Sequence, residues 1–247
     1  MRKFGWRPDI PDHRDRPLSM KLMRGPLKDV DLRKTGLLGV PYDQGQTSSC
    51  TGNGIGKAIE YGLRKQGKEA FVPSRLFIYY EERVMEGTVD SPDAGAMIRD
   101  GIKVVAKVGT PREDYWPFDV EKVTVKPVMQ AYDEAKKELV DRYERVPVEA
   151  RSINSVLNSG VPIVFGMAIY ESFMSDETSK TGIVKMPETT EASLGGHCML
   201  LVGSEKDHYI VMNSWGEGWG DKGFCYIPHA YMNNTNLAED FWAIHTV

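Results

Sequence analysis

The chain has 247 residues, of which 41% are hydrophobic, and its mean hydropathy is −0.39. This composition is typical of a folded protein with a sizeable core and excludes general disorder. The formal net charge of −4 gives no indication of a nucleic-acid partner. No stretch is apolar for long enough to span a bilayer, and no signal-peptide core follows the basic start. We therefore expect neither a membrane partner nor secretion.

Residues 1–34 form a basic N-terminal arm that is rich in proline. This arm carries ten Lys or Arg against five Asp, whereas residues 35–247 carry 21 Lys or Arg against 30 Asp or Glu. The opposite charges predict that the arm docks on the body of the same chain. A docked arm would either limit access to the functional site or serve as a structural strap packed away from it.

The apolar spacing of the body predicts helices first and antiparallel strands later. The first predicted helix begins at Cys50. Further helices are predicted at about 74–85, 96–107, 128–143 and 152–158. The predicted strands cover 162–169, 197–202, 209–212 and 223–227. This order indicates an α+β fold with a helical lobe at 35–125 and an antiparallel β-rich lobe at 126–247.

A histidine and an asparagine are predicted to meet across a hairpin. Polar residues 204–207 separate two apolar runs and form the expected turn. Closing the hairpin there brings His197 opposite Asn213 or Ser214. An amide oxygen that accepts a hydrogen bond from one ring nitrogen leaves the other nitrogen free to exchange a proton with a nucleophile.

Cys50 is the predicted nucleophile. A turn-rich segment precedes it, and Ile55, Ile59 and Leu63 mark one face of a helix that begins at Cys50. Unpaired N–H groups and the helix dipole favour a thiolate in such a first turn. Gln44, six residues earlier, carries an amide donor that would meet an oxyanion beside the Cys50 backbone N–H.

These residues resemble the papain-like cysteine peptidases, which have His and Asn downstream of a Cys near the mature N-terminus. The resemblance covers about residues 30–244 and implies a papain-like two-lobe fold with the site in the cleft between the lobes. It implies that Cys50 is the nucleophile, His197 the base, Asn213 its orienter and Gln44 the oxyanion donor. Trp215 would shield the His–Asn bond from water. Neither a cofactor nor a metal is implied.

Two positions depart from the pattern of the family. Thr47 and Thr51 stand where relatives usually carry a second cysteine and a tryptophan, so we expect no disulfide from this loop. The cysteines, Cys50, Cys198 and Cys225, are odd in number and have no framework spacing. We therefore predict a reduced, cytoplasmic protein of the intracellular prokaryotic- or virus-like branch without the usual disulfides.

The resemblance also implies a substrate-binding surface. Its expected residues are Gly95, Ala96, Met97, Gly166, Gly195, Gly196, Trp215 and Glu239. The glycines make a roomy pocket, and the carboxylate of Glu239 at its far end would accept an arginine of the substrate alongside Phe or Leu. A Glu239 side chain that points to solvent, leaving a simple apolar pocket, is the alternative.

The sequence thus predicts a cysteine peptidase whose partner is a peptide or protein substrate. Two alternatives stay open. An acyltransferase or transglutaminase would use the same Cys-His-Asn chemistry with an amine as acceptor. A catalytically dead peptide-binding module would keep the cleft without turnover.

Overall fold

The structure, a computed structural model, describes residues 2–137 and 140–246 and shows helices beside one antiparallel sheet. The helices are α1 (Cys50–Lys65), α2 (Arg75–Met85), α3 (Ile98–Lys107), α4 (Met129–Ala135), α5 (Ala150–Asn158), α6 (Asp176–Thr181) and α7 (His229–Met232). The strands are β1 (Val30–Asp31), β2 (Arg142–Arg145), β3 (Ile163–Tyr170), β4 (Ser193–Ser204), β5 (His208–Met212), β6 (Phe224–Pro228) and β7 (Ala238–His245). The sheet order is β2-β7-β3-β4-β5-β6, and β1 pairs with β4. The predicted α+β fold class is confirmed. Within the described residues, no helix has both the length and the apolar character needed to cross a membrane.

Helix α1 lies between the other helices and the sheet, and small residues allow this close packing. A Cβ added at Gly52 would lie 2.5 Å from the Arg75 carbonyl oxygen of α2. A Cβ added at Gly54, on the sheet side, would lie 3.1 Å from Cys198 Sγ. The first residue of α1, Cys50, is therefore placed where the two layers meet.

The predicted helix at 128–143 is wrong in its second half. Helix α4 ends at Ala135, residues 138–139 lie outside the described residues, and 142–145 form strand β2. Strand β2 pairs with β7, with Tyr143 opposite Ile244. The Tyr143 ring also packs edge-on against the Trp242 ring, with centroids 6.0 Å apart. Pairing with a strand far downstream thus overrides the local helical spacing.

Helix α4 belongs with the helical layer although the sequence boundary assigned it to the β-rich lobe. The Phe77 and Tyr132 rings are 5.0 Å apart, and the Tyr132 hydroxyl donates to Glu81 at 2.6 Å. These contacts join α4 to α2. We therefore propose that the boundary between the lobes follows α4 rather than residue 125.

The arm contacts both lobes. Asp15 forms ion pairs at 2.9 Å with Arg99 of α3 and with Arg145 of β2. The Leu18 backbone N–H donates to the Arg145 carbonyl at 3.1 Å. Further along, β1 pairs with β4 through Val30 and Asp31. The predicted docking of the arm on the body is thus present from Arg2 to Asp31, from the helical layer to the sheet.

Candidate active site

The β4–β5 hairpin brings His197 and Asn213 together. His197 Nε2 lies 2.8 Å from Asn213 Oδ1, which also accepts a hydrogen bond from the Ser214 backbone N–H at 2.8 Å. Because this oxygen is an acceptor, Nε2 carries the proton of the neutral ring. Among the described residues, His197 Nδ1 has no hydrogen-bond partner. It is thus the ring nitrogen available for proton transfer.

Aromatic rings enclose this pair. The Trp215 ring stacks on the His197 ring with centroids 5.0 Å apart and planes inclined by 30°. Phe4 of the arm packs edge-on against the same imidazole at 6.0 Å. Phe173 and Trp219 support Trp215 from behind, at 5.7 and 5.1 Å. Both His197 and Trp215 are buried, so little water reaches the His–Asn bond.

Gln44 is held beside the same loop. Its backbone N–H donates to the Ser214 carbonyl at 2.9 Å, and its Oε1 accepts from Ser214 Oγ at 2.6 Å. Its Nε2 donates to the Thr47 carbonyl at 2.8 Å and lies 3.5 Å from the Lys3 carbonyl oxygen of the arm. Cys50 opens α1 six residues later and is fully buried. The carboxamide donor that the sequence singled out thus reaches a carbonyl oxygen in the cleft.

The protonation states differ from the thiolate expected at a helix start. Burial raises the pKa of Cys50 to about 12. Burial also lowers the pKa of His197 to about 4, although the hydrogen bond that the ring donates to Asn213 Oδ1 favours the charged form. Both groups are therefore neutral at pH 7 while the arm is docked. Loss of hydration disfavours each charged form and outweighs the helix dipole.

Residues 5–7 of the arm run through the cleft and bind both of its walls. The Trp6 backbone N–H donates to the Gly196 carbonyl at 2.9 Å. On the opposite wall, the Ala96 N–H donates to the Gly5 carbonyl at 2.7 Å, and the Arg7 N–H donates to the Ala96 carbonyl at 3.0 Å. The arm thus occupies the backbone hydrogen-bonding groups that line the cleft.

The Trp6 indole fills the pocket predicted for the substrate. A Cβ at Gly166 would lie 2.0 Å from this ring, and one at Gly196 would lie 2.6 Å from it, so both positions require glycine while Trp6 is bound. The carboxylate at the far end belongs to Asp240, which accepts from Trp6 Nε1 at 3.2 Å. Glu239, which the sequence assigned to this place, is the strand partner of Gly166. Asp240 has a left-handed φ of 56°, and the β3–β7 register shifts nearby, so the carboxylate in the pocket lies one residue later than the resemblance implied.

The other predicted cleft residues also lie along the arm. Gly95 has a φ of 79°, and a Cβ there would lie 2.0 Å from the Gly5 carbonyl oxygen. A Cβ at Gly195 would lie 3.2 Å from Phe4. Met97 is half-buried, and its backbone N–H donates to Glu86 at 2.6 Å. The glycines thus let the chain in the cleft approach closely.

Asp9 of the arm and Asp240 of β7 form a buried carboxylate pair that the sequence did not reveal. The Asp9 backbone N–H donates to Asp240 Oδ2 at 2.7 Å, while the Asp9 carboxylate accepts from Trp242 Nε1 and from the Arg99 N–H, each at 3.0 Å. Arg145 pairs with Asp240 at 3.0 Å. Burial and the neighbouring Asp240 raise the pKa of Asp9 to about 7. The partners are 231 residues apart, and no local pattern connects them.

The cysteines of the chain, Cys50, Cys198 and Cys225, are all free and buried. In the part of the chain that the structure describes, no group of three or more His, Cys, Asp or Glu could hold a metal ion.

Comparison with known proteins agrees with this architecture. Residues 27–244 match the family model described as papain family cysteine protease. An uncharacterised peptidase C1-like protein of Acanthamoeba polyphaga mimivirus is 44% identical over 216 residues, which are 83% of this chain and 69% of that protein. Mouse cathepsin K is 27% identical over 221 residues, which are 85% of this chain and 63% of that protein. The crystal structure of Xylellain, a cysteine protease from Xylella fastidiosa, is 36% identical and superposes with a TM-score of 0.90 over 99% of this chain and 96% of that one. The chain belongs to the papain family of cysteine proteases.

Proposed function

We propose that the chain hydrolyses peptide bonds with Cys50 as nucleophile and His197 as the proton carrier. The observation that carries this proposal is the His197–Asn213 hydrogen bond of 2.8 Å, which leaves Nδ1 unpartnered among the described residues, in the cleft that α1 and Cys50 enter. Asn213 orients the ring and fixes its tautomer. The stacked Trp215 keeps water from that bond.

The reaction follows from these positions. Cys50 loses its proton to His197 and attacks the scissile carbonyl. Gln44 Nε2 and the Cys50 backbone N–H stabilise the oxyanion that forms, as Gln44 Nε2 now approaches the Lys3 carbonyl oxygen. His197 then protonates the leaving amine and afterwards activates the water that releases the acyl product.

The Trp6 pocket is the proposed binding site for a substrate side chain. Gly166, Gly196 and Ala96 provide room and backbone hydrogen bonds for it, as they do for Trp6. Asp240 at the far end accepts an N–H group from the indole. A carboxylate there also suits the guanidinium of an arginine, so we propose that the pocket accepts Trp or Arg in addition to Phe and Leu.

The arm is the proposed inhibitory segment of this enzyme. It fills the Trp6 pocket, takes the backbone groups of both cleft walls and buries Cys50 and His197. A substrate needs the same groups. We therefore propose that the docked form is latent and that activity appears as the arm leaves the cleft.

The proposal predicts how single substitutions change turnover. Turnover is measured by incubating each variant with a peptide library, with and without an added amine acceptor, and identifying the products by mass spectrometry. Cys50→Ala and His197→Ala abolish hydrolysis. Asn213→Ala lowers kcat/KM by about 10- to 100-fold, because one hydrogen bond to a charged group contributes about 1.5–3 kcal/mol.

Thermal unfolding controls for the fold of each variant. Full hydrolysis by Cys50→Ala would contradict the proposed nucleophile. Products that carry the added amine in place of water would instead show acyl transfer.

A further inference from the structure

A guanidinium is bound beside the cleft, on the side of the Trp215 ring. Arg2 of the arm forms an ion pair with Asp43, donates from Nη1 to the Gly45 carbonyl at 3.2 Å and donates from Nη2 to the Trp215 carbonyl at 3.1 Å. Its Cζ atom lies 5.7 Å from the centre of the Trp215 ring. A carboxylate, two carbonyls and an aromatic face converge on one planar cation, an arrangement that suits arginine better than lysine.

The body builds this site without help from the arm. Asp43 and Trp215 form an antiparallel bridge, and the Gly216 backbone N–H donates to the Tyr42 carbonyl at 2.9 Å. The Gly45 N–H donates to Asp43 Oδ1 at 2.9 Å and so holds the carboxylate in place. Because these bonds join body residues to one another, the acceptors remain in position when Arg2 leaves.

The site lies on the leaving-group side of the cleft. The Trp215 ring stacks on His197, the proposed donor of the proton to the leaving amine. Phe4 contacts both of these rings, at 6.2 and 6.0 Å, and so lies between Arg2 and the rest of the arm in the cleft. A substrate that continues past the scissile bond therefore runs along these rings towards Asp43.

We propose that Asp43, the Gly45 and Trp215 carbonyls and the Trp215 ring form a subsite for an arginine side chain of the substrate. The arginine follows the scissile bond within about three residues, since Arg2 lies only two residues from Phe4, which packs on the His197 ring. The substrate class is thus peptides with arginine shortly after the cut, and Arg2 is the internal occupant of their subsite. This inference rests on the proposed peptidase function.

The test uses the full chain with Arg2→Ala and Trp6→Ala, which together remove the two side chains of the arm that occupy the subsite and the Trp6 pocket. Peptides carry arginine, or its neutral isostere citrulline, at the first, second or third position after the cut. At one of these positions arginine raises kcat/KM by up to about fivefold over citrulline, since an exposed ion pair contributes at most about 1 kcal/mol. Adding Asp43→Asn, which keeps the acceptor for the Gly45 N–H, removes this preference, so that the arginine and citrulline peptides are cleaved at equal rates.

A binding measurement separates this inference from the proposed function. Fluorescence anisotropy of the same peptides on the open chain that also carries Cys50→Ala shows tighter binding of the arginine peptide, and Asp43→Asn abolishes the difference. Equal binding and equal cleavage of both peptides, or a preference that survives Asp43→Asn, overturns the subsite. Selective binding without any hydrolysis supports the subsite and contradicts the peptidase proposal. Gly5→Ala with Arg2→Ala replaces the opening pair if Trp6→Ala does not fold, because a Cβ at Gly5 would lie 1.8 Å from the Ser48 carbonyl oxygen.

Discussion

At the residue scale, glycines decide what fits in the cleft. Gly166 and Gly196 admit the Trp6 ring, and Gly95 lets the arm backbone pass. Gly5 is the matching residue of the arm, because its backbone passes directly over the Ser48 carbonyl. The same close contact that seals the cleft makes the docked arm sensitive to a single added methyl group.

We expect Gly5→Ala to activate the enzyme. The added Cβ cannot be accommodated 1.8 Å from a backbone oxygen, so the arm is displaced while the proposed catalytic residues stay unchanged. A strain of about 1–3 kcal/mol raises turnover of a small peptide about 5- to 100-fold. Gly218→Ala is the matched control, since a Cβ there meets nothing within 4 Å. Equal turnover in both variants would argue for a strap that does not limit access.

At the element scale, the arm is anchored to β7 through Asp9 and Asp240. Burial and the nearby carboxylate raise the Asp9 pKa from its ordinary 3.8 to about 7, and burial raises the pKa of Asp240 as well. The cations Arg99 and Arg145 face the pair, and Asp15 pairs with both of them. Asp9 is therefore more readily protonated when the arm is docked than when it is displaced. The docked form of the chain is thus most stable at low pH.

This linkage predicts that latency weakens as the pH rises through about 7. Below the ordinary pKa, Asp9 is protonated whether the arm is docked or displaced, and docking is fully stabilised. Above pH 7, docking buries an ionised Asp9 carboxylate beside Asp240, which costs free energy. Asp9→Asn removes this cost. The ratio of wild-type to Asp9→Asn peptide turnover, which cancels the ionisation of Cys50 and His197, should rise between pH 6 and pH 8, whereas a flat ratio would exclude the carboxylate pair as the cause.

Some of these elements could be predicted from the sequence, and others could not. His197 lies on β4, Asn213 directly follows β5, and Cys50 opens a helix with a clear apolar face, so local patterns predict where these residues lie. Their catalytic roles come from the resemblance and stay predictions. Strand β2 was misread as helix because its partner β7 lies about a hundred residues downstream. The resemblance pointed to Glu239 rather than Asp240, because it did not account for the left-handed φ of Asp240 and the nearby register shift between β3 and β7.

At the scale of the whole molecule, charge predicted that the arm docks, but buried contacts hold it. The exposed ion pairs of Arg2 and Lys3 with Asp43 and Asp93 contribute at most about 1 kcal/mol each. Removing a buried Trp side chain such as Trp6 typically costs about 3–5 kcal/mol. The Trp6 side chain in its pocket therefore contributes more to docking than either of these ion pairs.

We expect the docked arm to slow the proposed reaction. Burial raises the pKa of Cys50 and lowers that of His197, so transfer of the proton from Cys50 to His197, which creates two charges, is unfavourable until the arm leaves and water reaches both groups.

Mass-spectrometric mapping of alkylation by iodoacetamide tests whether Cys50 is the nucleophile and whether the docked arm shields it. In Gly5→Ala, we expect rapid labelling of Cys50, loss of peptide hydrolysis in proportion to it, and slow labelling of Cys50 in the wild-type chain. The buried Cys198 and Cys225 should stay unlabelled in both. Labelling of Cys198 or Cys225 with Cys50 untouched, or full labelling of Cys50 with undiminished hydrolysis, would contradict the account.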